Sequence, residues 1–360
     1  MLLSITDNSG NQVTKLTGLN YITVTDGSNK SVSGFDITKS SGLLTLVDNK
    51  EISASPKQIE EWNITITLVN YNYDQNANTG KNFSGKLIIQ KEKMITSLAD
   101  YVISQYTGTQ GENGIYYHDS TLKNGAGDNS YRYAGVSADV KNYICLGSSE
   151  ATCIDDNLYR IIGVFGDNNH GVSGQQLVKV IKNTSYGKLA WNTTDSNDWA
   201  SASLNTTLNS TFKTEKLSGF EDKIAEVTWR VSGYNASDDT DKTVYTAEIT
   251  NATKTHAAKI GLMYASDYEY AIIPDYWTTN LFDYNSAAKN KDWLFLGSTK
   301  EWLLSLYSIF PNLAWYVDNS GNVNNNIGVL NTSAVRPSFY LLSSVKYISA
   351  IKKKHFKMNS

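Results

Sequence analysis

The four histidines are the first residues to test for catalysis, because an imidazole can act as an acid, a base or a metal ligand. They are His118, His170, His256 and His355, and no two of them share the HExxH spacing that places two ligands on one helical face. The sequence has no GxSxG nucleophile elbow, and the glycine-rich segment 111 to 133 does not follow a strand and open a helix as phosphate loops do. We therefore predict a protein without catalysis and without a cofactor.

Calcium binding is suggested by one loop, residues 74 to 80. Asp74, Asn76 and Asn78 offer side-chain oxygens at alternate positions, as calcium loops do. The glycine comes one position late, however, and the twelfth position holds Gly85 instead of a bidentate glutamate. We interpret the segment as a solvated hairpin loop and predict no metal site. The acidic cluster at 238 to 241 is interpreted as an exposed loop for similar reasons.

An asparagine-rich hairpin between two apolar runs, at residues 313 to 341, is the strongest candidate for ligand binding. Asparagine offers both a donor and an acceptor, and it adapts its hydrogen bonds to a ligand as antibody loops do. Sugar-binding proteins combine such amides with flat aromatic rings. The predicted ligand-binding residues are Trp315, Tyr316, Asn322, Asn324, Asn325 and Asn326.

Structural interpretations of the same hairpin remain open. The turn sequence DNSG at 318 to 321 also occurs at 7 to 10, so the turn itself serves the fold. A low-GC genome is rich in asparagine codons, which alone could place asparagines on the surface. Most tryptophans and tyrosines of the chain are expected in the core, because they form strands well and bury a large area. Arg336 lies between apolar residues near a strand start, and we predict a structural clamp to a carboxylate or to backbone carbonyls.

The two cysteines indicate a disulfide. Cys145 and Cys153 flank a polar segment that can form a turn. In an oxidising compartment this spacing allows a small closed loop. The alternative is a pair of unpaired buried thiols, and we favour the disulfide.

Composition excludes nucleic acid as a partner. The formal net charge of the 360 residues is -3, and basic residues cluster only in the tail at 349 to 360, which we interpret as a frayed terminus. No apolar run is long enough to cross a membrane, and the first residues do not resemble a signal peptide. Because strand-like sequence begins at Met1, we expect an exported protein whose membrane-anchoring segment precedes this chain.

The hydrophobic pattern predicts a β-rich α+β protein of two domains. Residues 1 to 92 show alternating strands and polar turns, with Trp62 and the following isoleucines on one face, which predicts an immunoglobulin-like β-sandwich with Trp62 in a structural role. Residues 93 to 108 have helical spacing and predict a short helical linker. Residues 109 to 348 mix both periods and predict the larger α+β domain.

Four segments define the elements expected in that larger domain. The β-branched runs RIIGVF and LVKVIK, within residues 158 to 182, predict two paired strands. Leucines four residues apart predict a helix at 201 to 212. Apolar residues at helical spacing predict two more helices, at 218 to 231 and at 299 to 310.

The order of several motifs resembles a large family of surface proteins from low-GC gut Firmicutes and Mollicute-like bacteria. The motifs are GAGDNSYRYAG, NYICLGSSEATCIDDNLYRIIGVF, LNTTLN, KIAEVTWRV, AAKIGLMYASDYEYA and AVRPSFYL. The segment WNITITLVNYNYDQNANTGKNFSGKLII is similar to the small β-sandwich that often precedes this domain. The resemblance covers nearly the whole chain and implies cell-surface display, but no activity. The closing VRPSFYL pattern is also similar to C-type-lectin-like domains of the formylglycine-generating type, whose residues before the last strand line the ligand-binding face.

We therefore expect a non-catalytic, extracellular cell-surface protein of a gut bacterium. Its predicted role is adhesion, through binding of a host or bacterial glycan or of a surface protein. The alternative is a structural surface or pilus-like component that assembles through its first domain. An exposed apolar patch or a long unpaired edge strand within residues 1 to 92 favours assembly.

Overall fold

The computed structural model describes most of the chain: residues 1–12, 16, 18–38, 44–46, 61–81, 87, 97–146, 153–234, 240–285, 289–297 and 299–347. These residues form a β-rich protein with several sheets and short helices. The chain divides into two units, Met1–Met94 and Ile95–Ser360. The acidic residues Asp238 and Asp239 and the basic tail at 349 to 360 lie outside the described residues.

The first unit contains a four-stranded antiparallel sheet. Its strands are β1 (Leu2–Asp7), β2 (Tyr21–Thr25), β3 (Ser31–Asp36) and β4 (Trp62–Thr67), in the order β2-β3-β1-β4. Alternating side chains of β1 and β3 enter a small core. The buried members of this core are Leu3, Ile5, Leu16, Phe35 and Ile37.

Strand β4 lies at the edge of this sheet and exposes its apolar side chains. Ile64 pairs with Ile5 and Ile66 with Leu3, so these isoleucines share a face with the core residues, as the alternation predicts. The exposed fractions are nevertheless 41% for Ile64 and 47% for Ile66. Trp62 is also 37% exposed, so its side chain is not part of the buried core, and its structural role stays a prediction. Among the described residues β4 has a neighbouring strand on one side only, which explains these exposures.

The second unit is built from many short strands. In chain order they are β5 (Ile115–His118), β6 (Ser130–Tyr133), β7 (Tyr143–Cys145), β8 (Leu158–Phe165), β9 (Leu177–Lys182), β10 (Gly187–Ala190), β11 (Val227–Arg230), β12 (Gly233–Tyr234), β13 (Thr255–Ala258), β14 (Ile260–Gly261), β15 (Glu301–Tyr307), β16 (Leu313–Val317), β17 (Val323–Gly328), β18 (Thr332–Val335) and β19 (Ser338–Leu341). One sheet has the order β14-β19-β9-β8-β6-β5, with β7 beside β8. Another has the order β10-β18-β15-β16-β17, with β12 beside β15, and β11 pairs with β13.

Short helices connect and cover these strands. They are α1 (Leu98–Ser104), α2 (Asp167–His170), α3 (Ser203–Thr207), α4 (Lys213–Lys216), α5 (Asp241–Tyr245) and α6 (Ala265–Glu269). A π-helical turn at Leu208–Phe212 joins α3 to α4, which confirms the helix predicted at 201 to 212. Another π-helical turn, Thr246–Thr250, continues α5.

Helix α1 belongs to the second unit rather than to a separate linker. The hydroxyl of Ser97 accepts the N–H of Asp100 and caps the helix. Leu98, Ala99 and Val102 are buried in the core of the second unit. The helical spacing of 93 to 108 therefore reflects packing against this core, and the helix is shorter than the segment suggests.

Three further strand and helix predictions have different outcomes in the structure. The predicted pair at 158 to 182 is confirmed, because β8 and β9 pair along their length, with Ile161 opposite Val180. The helix predicted at 299 to 310 is wrong, because Glu301–Tyr307 forms β15. Six consecutive residues of β15 are buried, and such a continuous apolar run fits a strand covered on both faces as well as it fits a helix. The helix predicted at 218 to 231 is also wrong, since β11 occupies its second half.

Buried tryptophans connect the strands of the second unit. Seven tryptophans are almost completely buried: Trp191, Trp199, Trp229, Trp277, Trp293, Trp302 and Trp315. Several donate their indole N–H to a backbone carbonyl far away in sequence. The N–H of Trp191 bonds Leu303, and that of Trp302 bonds Leu189. The indoles therefore add hydrogen bonds between elements to their apolar burial.

The predicted disulfide is present. Cys145 at the end of β7 is joined to Cys153, which precedes β8. Because β7 also pairs with β8, the bond closes the loop between two neighbouring strands.

Gly163 offers a test of the close packing between β6 and β8. A methyl group at this position would overlap the carbonyl oxygen of Tyr131 and lie 3.1 Å from Cα of Arg132. We expect Gly163→Ala to lower the free energy of unfolding by about 1–3 kcal/mol. Urea unfolding followed by tryptophan fluorescence measures this, because seven of the eight tryptophans lie in the second unit.

The matched control is Gly187→Ala on β10. Nothing lies within 4 Å of a methyl group at Gly187, and the residue does not need a left-handed conformation. This variant should unfold at the wild-type urea concentration. Equal midpoints for the two variants would contradict close contact at Gly163.

Candidate functional site

Asp318 organises the turn of the asparagine-rich hairpin. Its Oδ1 accepts the backbone N–H groups of Ser320, at 2.7 Å, and of Asn322, at 3.0 Å. Its Oδ2 accepts the side-chain amides of Asn322, at 3.3 Å, and of Asn324, at 2.9 Å. Gly321 takes a positive φ of 99°, which suits glycine. The carboxylate thus orders the turn that joins β16 to β17.

Two further contacts hold the asparagines in place. The hydroxyl of Tyr316 donates to Oδ1 of Asn326 over 2.6 Å. Oδ1 of Asn322 accepts the backbone N–H of Asn285 at 2.8 Å. The ammonium group of Lys300 lies 5.2 Å from the centre of the Tyr316 ring, which is a cation–π distance. Asn322 and Asn324 therefore support the hairpin, and Asn326 is held by a neighbouring strand.

Trp315 is not part of the exposed surface, so its prediction as a ligand-binding residue is wrong. The side chain is completely buried and donates its indole N–H to the carbonyl of Leu306 at 3.1 Å. Side chains alternate between the two faces of a strand, so neighbouring Trp315 and Tyr316 do not share a surface. Tyr316 is itself only 3% exposed, and its hydroxyl is the part that reaches the asparagines.

Strand β17 presents the remaining asparagines. It lies at the end of its sheet, beside β16. Asn326 is exposed, and Asn324 and Asn325 are half-buried. The register of β16 and β17 shifts beside Asn325 and Asn326, so the strict alternation of faces is interrupted there. We call Asn324, Asn325 and Asn326, with the Tyr316 hydroxyl, the asparagine surface. The surface combines amide donors and acceptors on one edge strand, and two of its members are already ordered by Asp318 and Tyr316.

A small pocket lies near the disulfide. Its volume is about 170 Å³. Its lining residues are Leu146, Asn157, Tyr159, Lys216, Leu217, Ser218, Gly219 and Phe220. The hydroxyl of Tyr159 is buried without a hydrogen-bond partner among the described residues, and burial raises its pKa. Sequence analysis did not single out any of these residues, because they come from separate segments without a motif.

A buried cluster of charged residues is the feature that sequence analysis missed. Nζ of Lys179 on β9 lies 2.5 Å from Oδ2 of Asp267 on α6, and Glu248 is buried beside the start of that helix. Arg132 forms a second buried pair with Asp128 at 2.8 Å. Lysine in LVKVIK suggests the solvent face of a strand, but all six residues of β9 are buried. Lys179 and Asp267 are distant in sequence, so the spacing of residue types does not predict that they pair.

Arg336 clamps the start of the last strand. Its guanidinium bonds both carboxylate oxygens of Glu301, at 2.6 and 2.9 Å, and also the carbonyl of Leu294. Both side chains are buried, so the bidentate geometry compensates for loss of water. The contacts are those expected of a structural residue.

The metal and membrane interpretations can be checked only on the described part of the chain. There, no group of three or more His, Cys, Asp or Glu is placed to hold a metal ion. In the loop at 74 to 80, Oδ1 of Asp74 accepts the backbone N–H of Asn76, which is an ordinary turn contact. No helix within the described ranges has the length and apolar character needed to cross a bilayer.

Comparison with known proteins gives no relative on which to base a function. No protein-family model, no curated protein and no solved structure matches this chain. The suspected surface-protein family therefore stays a prediction, and the functional argument depends on the geometry of the chain itself.

Replacing Asp318 tests how far the hairpin depends on one carboxylate. We expect Asp318→Ala to lower the free energy of unfolding by about 1 kcal/mol, because the side chain is partly exposed. The amides of Ser320 and Asn322 should then exchange hydrogen faster, as measured by mass spectrometry of peptides from the hairpin. Asp318→Asn is the matched control, since its Oδ1 can still accept both backbone N–H groups. Unchanged exchange in Asp318→Ala would contradict this role.

Proposed function

We propose that this protein is an extracellular, cell-surface protein that binds a glycan or a surface protein through the asparagine surface, without catalysis. The observation that carries the proposal is a row of three asparagines on an edge strand, two of them ordered before any ligand arrives. A side chain that is already ordered loses less entropy on binding, which raises affinity. The exposed Asn326 accepts from Tyr316 through Oδ1, so its NH2 group is left to donate to a ligand.

The chemistry of asparagine suits a hydroxyl-rich ligand. Each amide group offers donors and acceptors side by side, and each sugar hydroxyl can act as either. The same groups also suit the backbone of a peptide, which offers one donor and one acceptor per residue. Among the described residues no strand pairs with the outer edge of β17, and this edge would add backbone hydrogen bonds for a peptide ligand only. Binding to glycans and binding to peptides can therefore be separated by experiment.

Three further observations support extracellular display and the detailed fold. A disulfide between neighbouring strands is typical of exported proteins, since cytoplasmic thiols are kept reduced. For the first unit we propose an immunoglobulin-like sandwich, supported by its antiparallel four-stranded sheet. For the second we propose a C-type-lectin-like domain, supported by a polar hairpin that directly precedes the closing strands β18 and β19.

A glycan array probed with the full chain tests ligand binding. For the double variant Asn325→Ala, Asn326→Ala we expect a tenfold or greater loss of affinity, about 1.4 kcal/mol or more, for each glycan that the wild type binds. The matched control is Asn331→Ala, an exposed asparagine beyond the other end of β17 that bonds only its own turn. Equal binding by the double variant and the wild type would overturn the proposal that the asparagine surface binds the glycan. If no glycan binds, the same variants are compared for binding to surface-protein extracts.

Assembly through the first unit is the second candidate function. Strand β4 exposes a row of large apolar side chains at the edge of its sheet, namely Trp62, Ile64 and Ile66, followed by Leu68. Exposed apolar edges of this kind associate with other strands unless they are protected. A second copy of this chain is the simplest partner, because its own β4 offers the same apolar row.

Sedimentation of the full chain at increasing concentration tests this alternative. If the first unit assembles, the wild type should sediment as oligomers and Ile66→Lys as a monomer, because the charge interrupts the apolar row. Thr65→Lys is the matched control, since Thr65 lies on the opposite face of the same strand. A monomeric wild type at every concentration would exclude self-assembly through β4.

A further inference from the structure

Lys179 and Asp267 form a close contact deep inside the second unit. Nζ of Lys179 lies 2.5 Å from Oδ2 of Asp267, and the side chains are 0% and 3% exposed. The residues are 88 positions apart, on β9 and α6. The other fully buried pairs of the described chain, around Arg132 and Arg336, use guanidinium groups. Among these fully buried pairs, Lys179 thus supplies the cation that becomes a nucleophilic amine when it loses a proton.

Aromatic rings surround the amine and keep water away. Nζ lies 4.3 Å from the centre of the Tyr264 ring and 5.3 Å from that of Trp229. The rings of Tyr340 and Phe165 follow at 5.4 and 5.9 Å. Burial lowers the pKa of Lys179, although Asp267 opposes the shift. The neutral form of the Lys179 amine is therefore easier to reach by loss of a proton than it is for a lysine on the protein surface.

Glu248 provides a second carboxyl group at the same place. Its Oε1 accepts the N–H of Ala265 at 3.1 Å, and its Oε2 accepts that of Ser266 at 3.0 Å. Oδ2 of Asp267 accepts the preceding N–H, from Tyr264, at 2.8 Å. Three consecutive backbone donors therefore hold the two carboxyl groups side by side. Oε1 of Glu248 also contacts the hydroxyl of Ser305. Burial raises the pKa of Glu248, which favours its protonated form, although the hydrogen bonds from Ser305 and Ser266 oppose the shift.

We propose that Lys179 and Asp267 condense to an intramolecular amide bond in the folded protein, with Glu248 carrying the proton. Nζ attacks Cγ of Asp267, and the N–H of Tyr264 stabilises the negative charge that develops on Oδ2. Glu248 protonates the departing oxygen and then takes a proton from Nζ. Before the attack, the Lys179 ammonium passes one proton to the Asp267 carboxylate, which gives a neutral amine and a protonated carboxyl group. The amine then loses one hydrogen and the carboxyl group loses one hydroxyl, with Oδ1 as the departing oxygen, so the products are a secondary amide and one water molecule. No oxidant or cofactor takes part.

The fold supplies the conditions that amide formation needs. Amine and carboxyl group are held at contact distance, which replaces an encounter in solution by a reaction within one molecule. Burial away from water destabilises the charged ion pair relative to the uncharged amide. The product would join strand β9, in the middle of one sheet, to helix α6 by a covalent bond. This inference is independent of the asparagine surface.

Intact mass spectrometry of the full chain, denatured and with its disulfide reduced, tests the proposal. We expect the wild type to be lighter than its sequence by one water molecule. Lys179→Arg keeps a positive charge but has no amine that can condense, so this variant should have the full sequence mass. Glu248→Gln removes the proton carrier and should show the full mass or a slow loss of water. A wild type with the full sequence mass overturns the proposal, whether or not any variant folds.

Peptide mapping locates the lost water. A protease digest should contain one branched species that joins the peptide of Lys179 to the peptide of Asp267. Loss of water at Asp26-Gly27, a sequence that forms cyclic imides, would appear on an unbranched peptide and would overturn the proposal. Complete cross-linking in Glu248→Gln would overturn the role given to Glu248. Tryptophan fluorescence of each variant checks that it is folded.

Discussion

Burial of charge on strand β9 is the constraint on which the second unit depends. The strand pairs with β8 on one side and with β19 on the other, and every residue in it is buried. It nevertheless carries Lys179 and Lys182. An unpaired ammonium in such a place would be strongly unfavourable, so α6 must bring Asp267 to Lys179 and the carbonyl of Asp155 must reach Lys182. The positions of the covering elements follow from these pairings as much as from apolar packing.

The need of polar groups for hydrogen-bond partners also explains the asparagine-rich hairpin. A turn needs only a few residues, yet its asparagines bond a shared carboxylate, a tyrosine hydroxyl and a neighbouring backbone N–H. The amide side chains therefore have two roles in the hairpin. Those near the turn hold the backbone, and those farther along β17 are presented on the edge. Surface asparagines that only reflected codon composition would have no reason to share partners in this way.

The parts of the fold that depend on local chemistry could be predicted from the sequence. Strands β8 and β9, the helical segment that begins at α3 and the disulfide all follow from spacing and residue type over short distances. Strand β15 could not be distinguished from a helix, because a strand buried on both faces loses its alternation. The contact of Lys179 with Asp267 could not be predicted, since the sequence around one residue contains no motif that indicates the other. At the hairpin the turn was predictable, whereas the burial of Trp315 depends on which face of β16 meets the core.

The last two strands close both large sheets of the second unit. Strand β18 lies between β10 and β15, strand β19 lies between β14 and β9, and only Arg336 and Pro337 separate them. Both strands follow every other strand of the second unit in chain order, so neither sheet can be completed before they are made. Until then β9 and β15 each lack one neighbouring strand, and pairing between distant segments is slow in any case. The second unit therefore reaches its native sheets only after these two strands have been synthesised, whatever earlier pairs have formed.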